Sequence, residues 1–143
     1  MPFGKLGILE NPMLKSGIRT VEKKGLFYIA GRGGAVRRFK PWLGDAFSFV
    51  YDPVMKNSIF PKKFGADIDT HEKILRRLLE DVHGKKVLEL ATGSGSAAGF
   101  LPEDNAYTGT DISPGLLRRA KKRFQAAGFA DAGFYVAPAD DLP

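Results

Sequence analysis

The sequence predicts an α/β fold, a parallel sheet with flanking helices, and three observations predict it. Short apolar runs at 87–90, 107–111 and 133–137 alternate with helical stretches, the pattern of strand–helix–strand units. The first run passes at once into a small-residue turn, Ala91-Thr92-Gly93-Ser94-Gly95, and then into helix-compatible Ser96-Ala97-Ala98. Such a turn brings backbone N–H groups close to a ligand, because no Cβ stands in the way. The second run ends on Asp111, twenty positions after Ala91. An acid at the tip of the neighbouring strand is where nucleotide-type α/β sites hold a ribose hydroxyl pair.

In chain order, residues 1–66 read as a basic, aromatic-rich N-terminal arm or lid, and residues 67–143 as the sheet half-domain. Residues 1–25 have scattered glycines and prolines and no sustained period, so they read as mostly irregular. The runs 26–30 and 35–39 flank Gly31-Arg32-Gly33-Gly34 and fit a hairpin around a glycine turn, or a strand followed by a helix start. From Phe39 to Phe64 aromatics alternate with Pro41, Pro53 and Pro61, which predicts short helices broken at the prolines. The arm either packs its aromatics on the sheet domain or forms a lid or acceptor surface. Its interleaved basic and aromatic residues also suit RNA or an anionic lipid.

Asp69 is placed to cap a helix, with Glu72 three residues on able to reach back. Ile74, Leu75, Leu78, Leu79 and Val82 share one face of it, and Gly84 closes it as a left-handed cap. His71 and His83, at its two ends, read as structural residues. After the glycine turn a short helix at 96–101 stops at Pro102. Ser113 caps the next helix with Pro114 at its first position. That helix buries Leu116, Leu117, Ala120, Phe124 and Ala127; Arg118, Arg119, Lys121, Lys122 and Arg123 make a solvated face.

Three stretches carry a family resemblance. Val87-Leu88-Glu89-Leu90-Ala91-Thr92-Gly93-Ser94-Gly95 resembles the first motif of class I S-adenosylmethionine-dependent methyltransferases. Thr110-Asp111-Ile112-Ser113-Pro114 resembles the second, and Ala139-Asp140-Asp141-Leu142-Pro143 the start of the third. Ala91 stands where the family usually has its first glycine, and Pro138 where many members carry an acid. The resemblance implies a Rossmann-like fold and S-adenosyl-L-methionine as cofactor, from which a methyl group passes to an acceptor. It implies that Gly93 and Gly95, with Ala91 beside them, let the loop backbone approach the methionine portion, and that Glu89 helps place its charged end. Asp111 would accept the ribose hydroxyls, Ile112 would lie against the adenine, and Asp140 would face the adenine amine. It assigns no catalytic base; Tyr51 and Asp52 are the candidates in the arm. Phe49-Val50-Tyr51-Asp52 resembles the quinone- and small-molecule-modifying branch.

Two other function classes stay open. Gly93-x-Gly95-x-x-Ala98 also fits a nicotinamide-dinucleotide fingerprint, although a pyrophosphate gains nothing from Glu89. A non-catalytic module acting on nucleic acid through the basic arm is the other. Charge supports a division between the halves: residues 1–65 carry 12 Lys and Arg against 4 Asp and Glu, residues 66–143 carry 10 against 12. The absence of cysteine excludes disulfides, thiolate zinc sites and cysteine nucleophiles. Two histidines make a histidine-rich metal site improbable. No run of about 18 apolar residues occurs, so a cytoplasmic protein is expected.

In the resembled family the first strand sits near the middle of the sheet. The strand at 87–90 should therefore have an unpaired apolar edge here. The expectation is a fragment of a longer chain, an arm that supplies pairing strands, or a homo-oligomer that buries the edge.

Overall fold

The computed structural model describes residues 19–30, 36, 49–65, 67–140 and 142. One five-stranded sheet orders them, with strand order β1-β2-β5-β4-β3. The expected parallel unit is present: β3 (Lys86–Leu90), β4 (Ala106–Asp111) and β5 (Ala132–Val136) pair in parallel. In their register Leu88 lies opposite Thr108 and Gly109 opposite Phe134.

The arm contributes two strands that the sequence reading left irregular or paired otherwise. β1 (Arg19–Lys23) and β2 (Leu26–Ala30) form an antiparallel hairpin. Its turn is Lys24-Gly25, both with positive φ (54° and 72°), the conformation of a two-residue hairpin turn that matches strand twist. Of the expected hairpin between 26–30 and 35–39, the described residues show an antiparallel bridge between Ala30 and Val36. β2 then joins β5 in parallel, Phe27 opposite Tyr135, and the two rings stack at 4.9 Å. The arm thus lengthens the sheet on the β5 side. Among the described residues no strand lies beside β3, and Leu88 and Leu90 are about half exposed there.

α1 (Tyr51–Val54) continues as a π-helical stretch, Met55–Phe64, which runs through Pro61 instead of breaking at it. The expected interruptions at 39–48 lie outside the described residues. α2 (Ile68–Leu79) is capped by Asp67, which accepts from the amides of Asp69 and Thr70 at 3.2 Å each; Asp69 instead pairs with Lys56 at 2.8 Å. α2 ends at Glu80, so Gly84 (φ 60°) shapes the following turn rather than the cap. Only half its apolar stripe is used: Leu75 and Leu79 pack on the core, while Ile74 and Leu78 face solvent. The expected helix at 96–101 is a short 3₁₀ turn, Ser96–Gly99.

α3 (Pro114–Ala126) is the core helix. Ser113 caps it through Leu116 N–H at 3.2 Å, with proline at the first position as expected. It buries Gly115, Leu116, Leu117, Ala120 and Phe124, whereas Ala127 is exposed. Phe124 stacks on Tyr107 at 3.9 Å, and Phe129 and Phe134 close on the pair edge-first. Rings of this size dominate the burial energy of so small a domain. Its basic face is not wholly solvated: Lys121 donates to the Gly25 carbonyl at 3.1 Å and so ties α3 to the hairpin turn.

Candidate functional site

The tip of β3 builds the site. Ala91 turns the chain with φ 55° and Gly93 with φ 58°, left-handed conformations that a Cβ disfavours by roughly 1–2 kcal/mol. Gly93 is open: a Cβ there would meet only the Ala91 carbonyl, at 3.9 Å. Gly95 is different, for its missing side chain is required by packing. A Cβ at Gly95 would lie 2.6 Å from the Ala120 Cα on α3. The loop is therefore clamped onto the core helix on one side and bare on the other.

Asp111, at the tip of β4, joins that loop to its own strand. One carboxylate oxygen accepts from Gly93 N–H at 3.0 Å and the other from Ser113 N–H at 2.8 Å. A carboxylate has about four lone-pair positions, so two remain for a ligand's hydroxyls. Asp111 lines a hollow of about 200 Å³ with Ala91, Ile112, Ala137, Pro138 and Ala139. Apart from the acid its lining is apolar, and Ile112 is partly exposed within it. Asp140 is exposed and lies just outside this lining.

A second cleft, of about 280 Å³, opens on the other side of Ala91. Glu89, Ala91, Gly93 and Ser94 form its floor, Met55 and Lys56 one wall, and Ile68, His71, Glu72 and Leu75 of α2 the other. Burial pushes the Glu89 carboxyl above its ordinary value of 4.5, against the opposing pull of hydrogen bonds from Tyr107 and Thr92. The Tyr107 hydroxyl donates to Glu89 and lies 3.1 Å from Thr92 Oγ1. Burial, first, and the Glu89 charge beside it push that phenol well up, so it stays protonated as a donor.

Of the two arm candidates for a base, Asp52 reaches the cleft but is not free to act. Its carboxylate is held by Arg119 at 3.0 Å, by Arg123, and by the Ser94 hydroxyl at 2.5 Å. Arg123 also donates to Ser94 at 3.1 Å. Two cations expected on a solvated face thus latch α1 over the glycine loop. The side chain of Tyr51 lies outside the described atoms.

Among the expected residues, Glu89, Ala91 and Gly93 meet in the cleft, while Ala91, Asp111 and Ile112 meet in the hollow; Gly95 and Asp140 line neither. His71, read from sequence as structural, stands in the cleft wall. The signal was present: His71 precedes Leu75 and Leu79 by four and eight positions, which puts it on their face of the helix. Among the described residues no group of three or more His, Asp or Glu side chains is arranged to hold a metal ion. None of the described helices is long and apolar enough to cross a membrane.

The family model described as "Methyltransferase domain" matches residues 87–143. The chain is also similar to demethylmenaquinone methyltransferase of Thermotoga maritima, at 33% identity over 114 residues. That alignment takes in 78% of this chain and 45% of the relative, so the chain spans a little under half the relative's length.

Proposed function

From the match of residues 87–143 to a methyltransferase domain we propose that this chain belongs to the class I methyltransferases and is the cofactor-binding portion of an S-adenosylmethionine-dependent enzyme. One observation carries the reading: the acid-floored cleft and the apolar hollow meet at Ala91. A ligand with a cationic amino-acid end, a ribose and a flat base needs these surroundings in this order. Glu89 faces the cationic end, the bare backbone at Gly93 admits the chain of the methionine portion, and Asp111 takes the ribose hydroxyls. Ile112 lies against the adenine, with Asp140 at the rim toward its amine. When bound, the sulfonium supplies an already activated methyl group, so the protein's task is alignment of the acceptor.

A small organic acceptor fits a cleft of this size, and the relative's name points toward a quinone-type compound. The dinucleotide alternative is disfavoured because a half-buried acid, Glu89, floors the cleft where a pyrophosphate would need amides. Arg119 and Arg123 are engaged with Asp52, which weakens the case for nucleic acid on this helix. Calorimetry tests the reading. S-adenosylmethionine and its demethylated product should bind, NAD should not, and Asp111→Asn should weaken binding by roughly tenfold or more, the loss of one charge-assisted hydrogen bond. Unchanged affinity in Asp111→Asn would remove the ribose contact, and preferential binding of NAD would remove the whole assignment.

A further inference from the structure

Resting on the methyl-transfer reading above, we propose that Ser94 and Arg123 form a seat for the ligand's α-carboxylate, and that Asp52 sits in it as a built-in competitor which the arriving ligand moves aside. Asp52, Ser94 and Arg123 all line the cleft that Glu89 floors. The buried Ser94 donates its hydroxyl to one oxygen of the Asp52 carboxylate at 2.5 Å, and Arg123 donates to the other. Arg123 also reaches Ser94 Oγ, at 3.1 Å. A hydroxyl and a guanidinium thus converge on the two oxygens of one carboxylate, the charge-assisted pairing that favours such a group. A free amino-acid end entering this cleft would set its ammonium toward Glu89 and its carboxylate on Ser94 and Arg123.

Charge favours the exchange. Arg119 and Arg123 both face the single carboxylate of Asp52, so the cluster carries an excess cation that a second carboxylate would neutralise. The donors are also underused. Arg119 reaches Asp52 through one terminal nitrogen at 3.0 Å, while its buried Nε has no hydrogen-bond partner among the described residues. Asp52 can therefore withdraw onto Arg119 in a two-pronged grip and yield Ser94 and Arg123 to the ligand. Each guanidinium then keeps one carboxylate. Removing a partner from a desolvated charge is costly, whereas replacing one carboxylate by another avoids that cost.

The exchange has a mechanical consequence. Asp52 belongs to α1, whose chain runs on into the Met55 and Lys56 wall of the cleft. Its carboxylate ties that segment to Ser94, Arg119 and Arg123, and the ligand takes two of the three ties. Filling the cofactor place thus loosens the wall, and access for the acceptor follows the cofactor. Linkage makes the effect reciprocal: a competitor that the ligand displaces must also weaken the ligand.

S-adenosylhomocysteine and its decarboxylated analogue, S-adenosyl-3-thiopropylamine, differ only in the carboxylate, so calorimetry on the full chain with both ligands isolates the seat. Asp52→Asn should tighten S-adenosylhomocysteine by roughly tenfold, the scale of one charge-assisted hydrogen bond, and leave the analogue nearly unchanged. Arg123→Gln should weaken S-adenosylhomocysteine by a similar factor and spare the analogue. In the wild-type chain, hydrogen exchange of peptides from 51–64 should quicken with S-adenosylhomocysteine and stay as it was with the analogue. Slower exchange would mean that the cofactor closes the arm, and would overturn the proposal. So would an Asp52→Asn chain that binds S-adenosylhomocysteine no better than wild type, or one that shifts both ligands alike. The Asp52→Asn comparison decides the matter even where Arg123→Gln fails to fold. A wild-type chain that binds neither ligand would overturn the methyl-transfer reading instead.

Discussion

At the scale of single residues, Glu89 sets folding stability against the cofactor contact proposed for it. Its carboxyl is raised by burial, so between its ordinary and its raised value the folded chain holds more protons than the unfolded one. Stability therefore falls as pH rises through that window, and the full penalty persists at neutral pH. Glu89→Gln keeps an acceptor for the Tyr107 hydroxyl and removes the charge. It should raise the urea midpoint at pH 7, with the gain fading as the pH falls through that window and gone below about 4.5, and it should weaken the cofactor binding proposed above. A lowered midpoint at pH 7 would contradict this account. The sequence made Glu89, Asp111 and Gly93 legible because each sits at a fixed offset from a strand end. Tyr107 and Thr92, which hold Glu89 in place, were not legible. Their roles depend on Gly109, where a Cβ would sit 2.6 Å from Thr92 Oγ1, and no local pattern records such a cross-strand contact.

At the scale of elements, the informative contact is the one between α1 and α3. Asp52 is about 28% exposed and its arginines 33% and 40%, so the pairing is partly screened yet shared among three partners. Asp52→Asn should release α1 and the π-helical stretch while leaving α3 folded. Hydrogen exchange of peptides from 51–64 should quicken by roughly tenfold, about 1.4 kcal/mol of local opening, with those from 114–126 unchanged. Equal quickening in both would mean that the latch supports the whole domain. β3, β4, β5 and α3 were readable to within a residue or so at each end, since apolar period and caps agree there. In the arm the run 26–30 was readable as β2, but β1 was not: it lacks apolar alternation strong enough to announce a strand, and its stability comes from β2 and, through it, from β5.

Taken whole, the described residues leave β3 as an open border. Leu88 and Leu90 on that strand are about half exposed, and an uncovered apolar edge is a template for pairing with another chain. The 143-residue polypeptide should therefore associate in solution. Leu88→Lys with Leu90→Lys should bring its light-scattering mass down toward the 15.6 kDa of a single chain; an unassociated wild-type chain would show that the edge is harmless. The position of this border was expected from the family pattern, whereas the sheet's other side, extended by the arm, was not. That extension has a further consequence during synthesis. The β1–β2 hairpin closes through a two-residue turn and forms within microseconds, but its neighbour β5 is about a hundred residues later in the chain. At ribosomal speed the hairpin waits on the order of ten seconds for its parallel companion to emerge, a window in which nascent-chain chaperones have the best access to Phe27 and Tyr28.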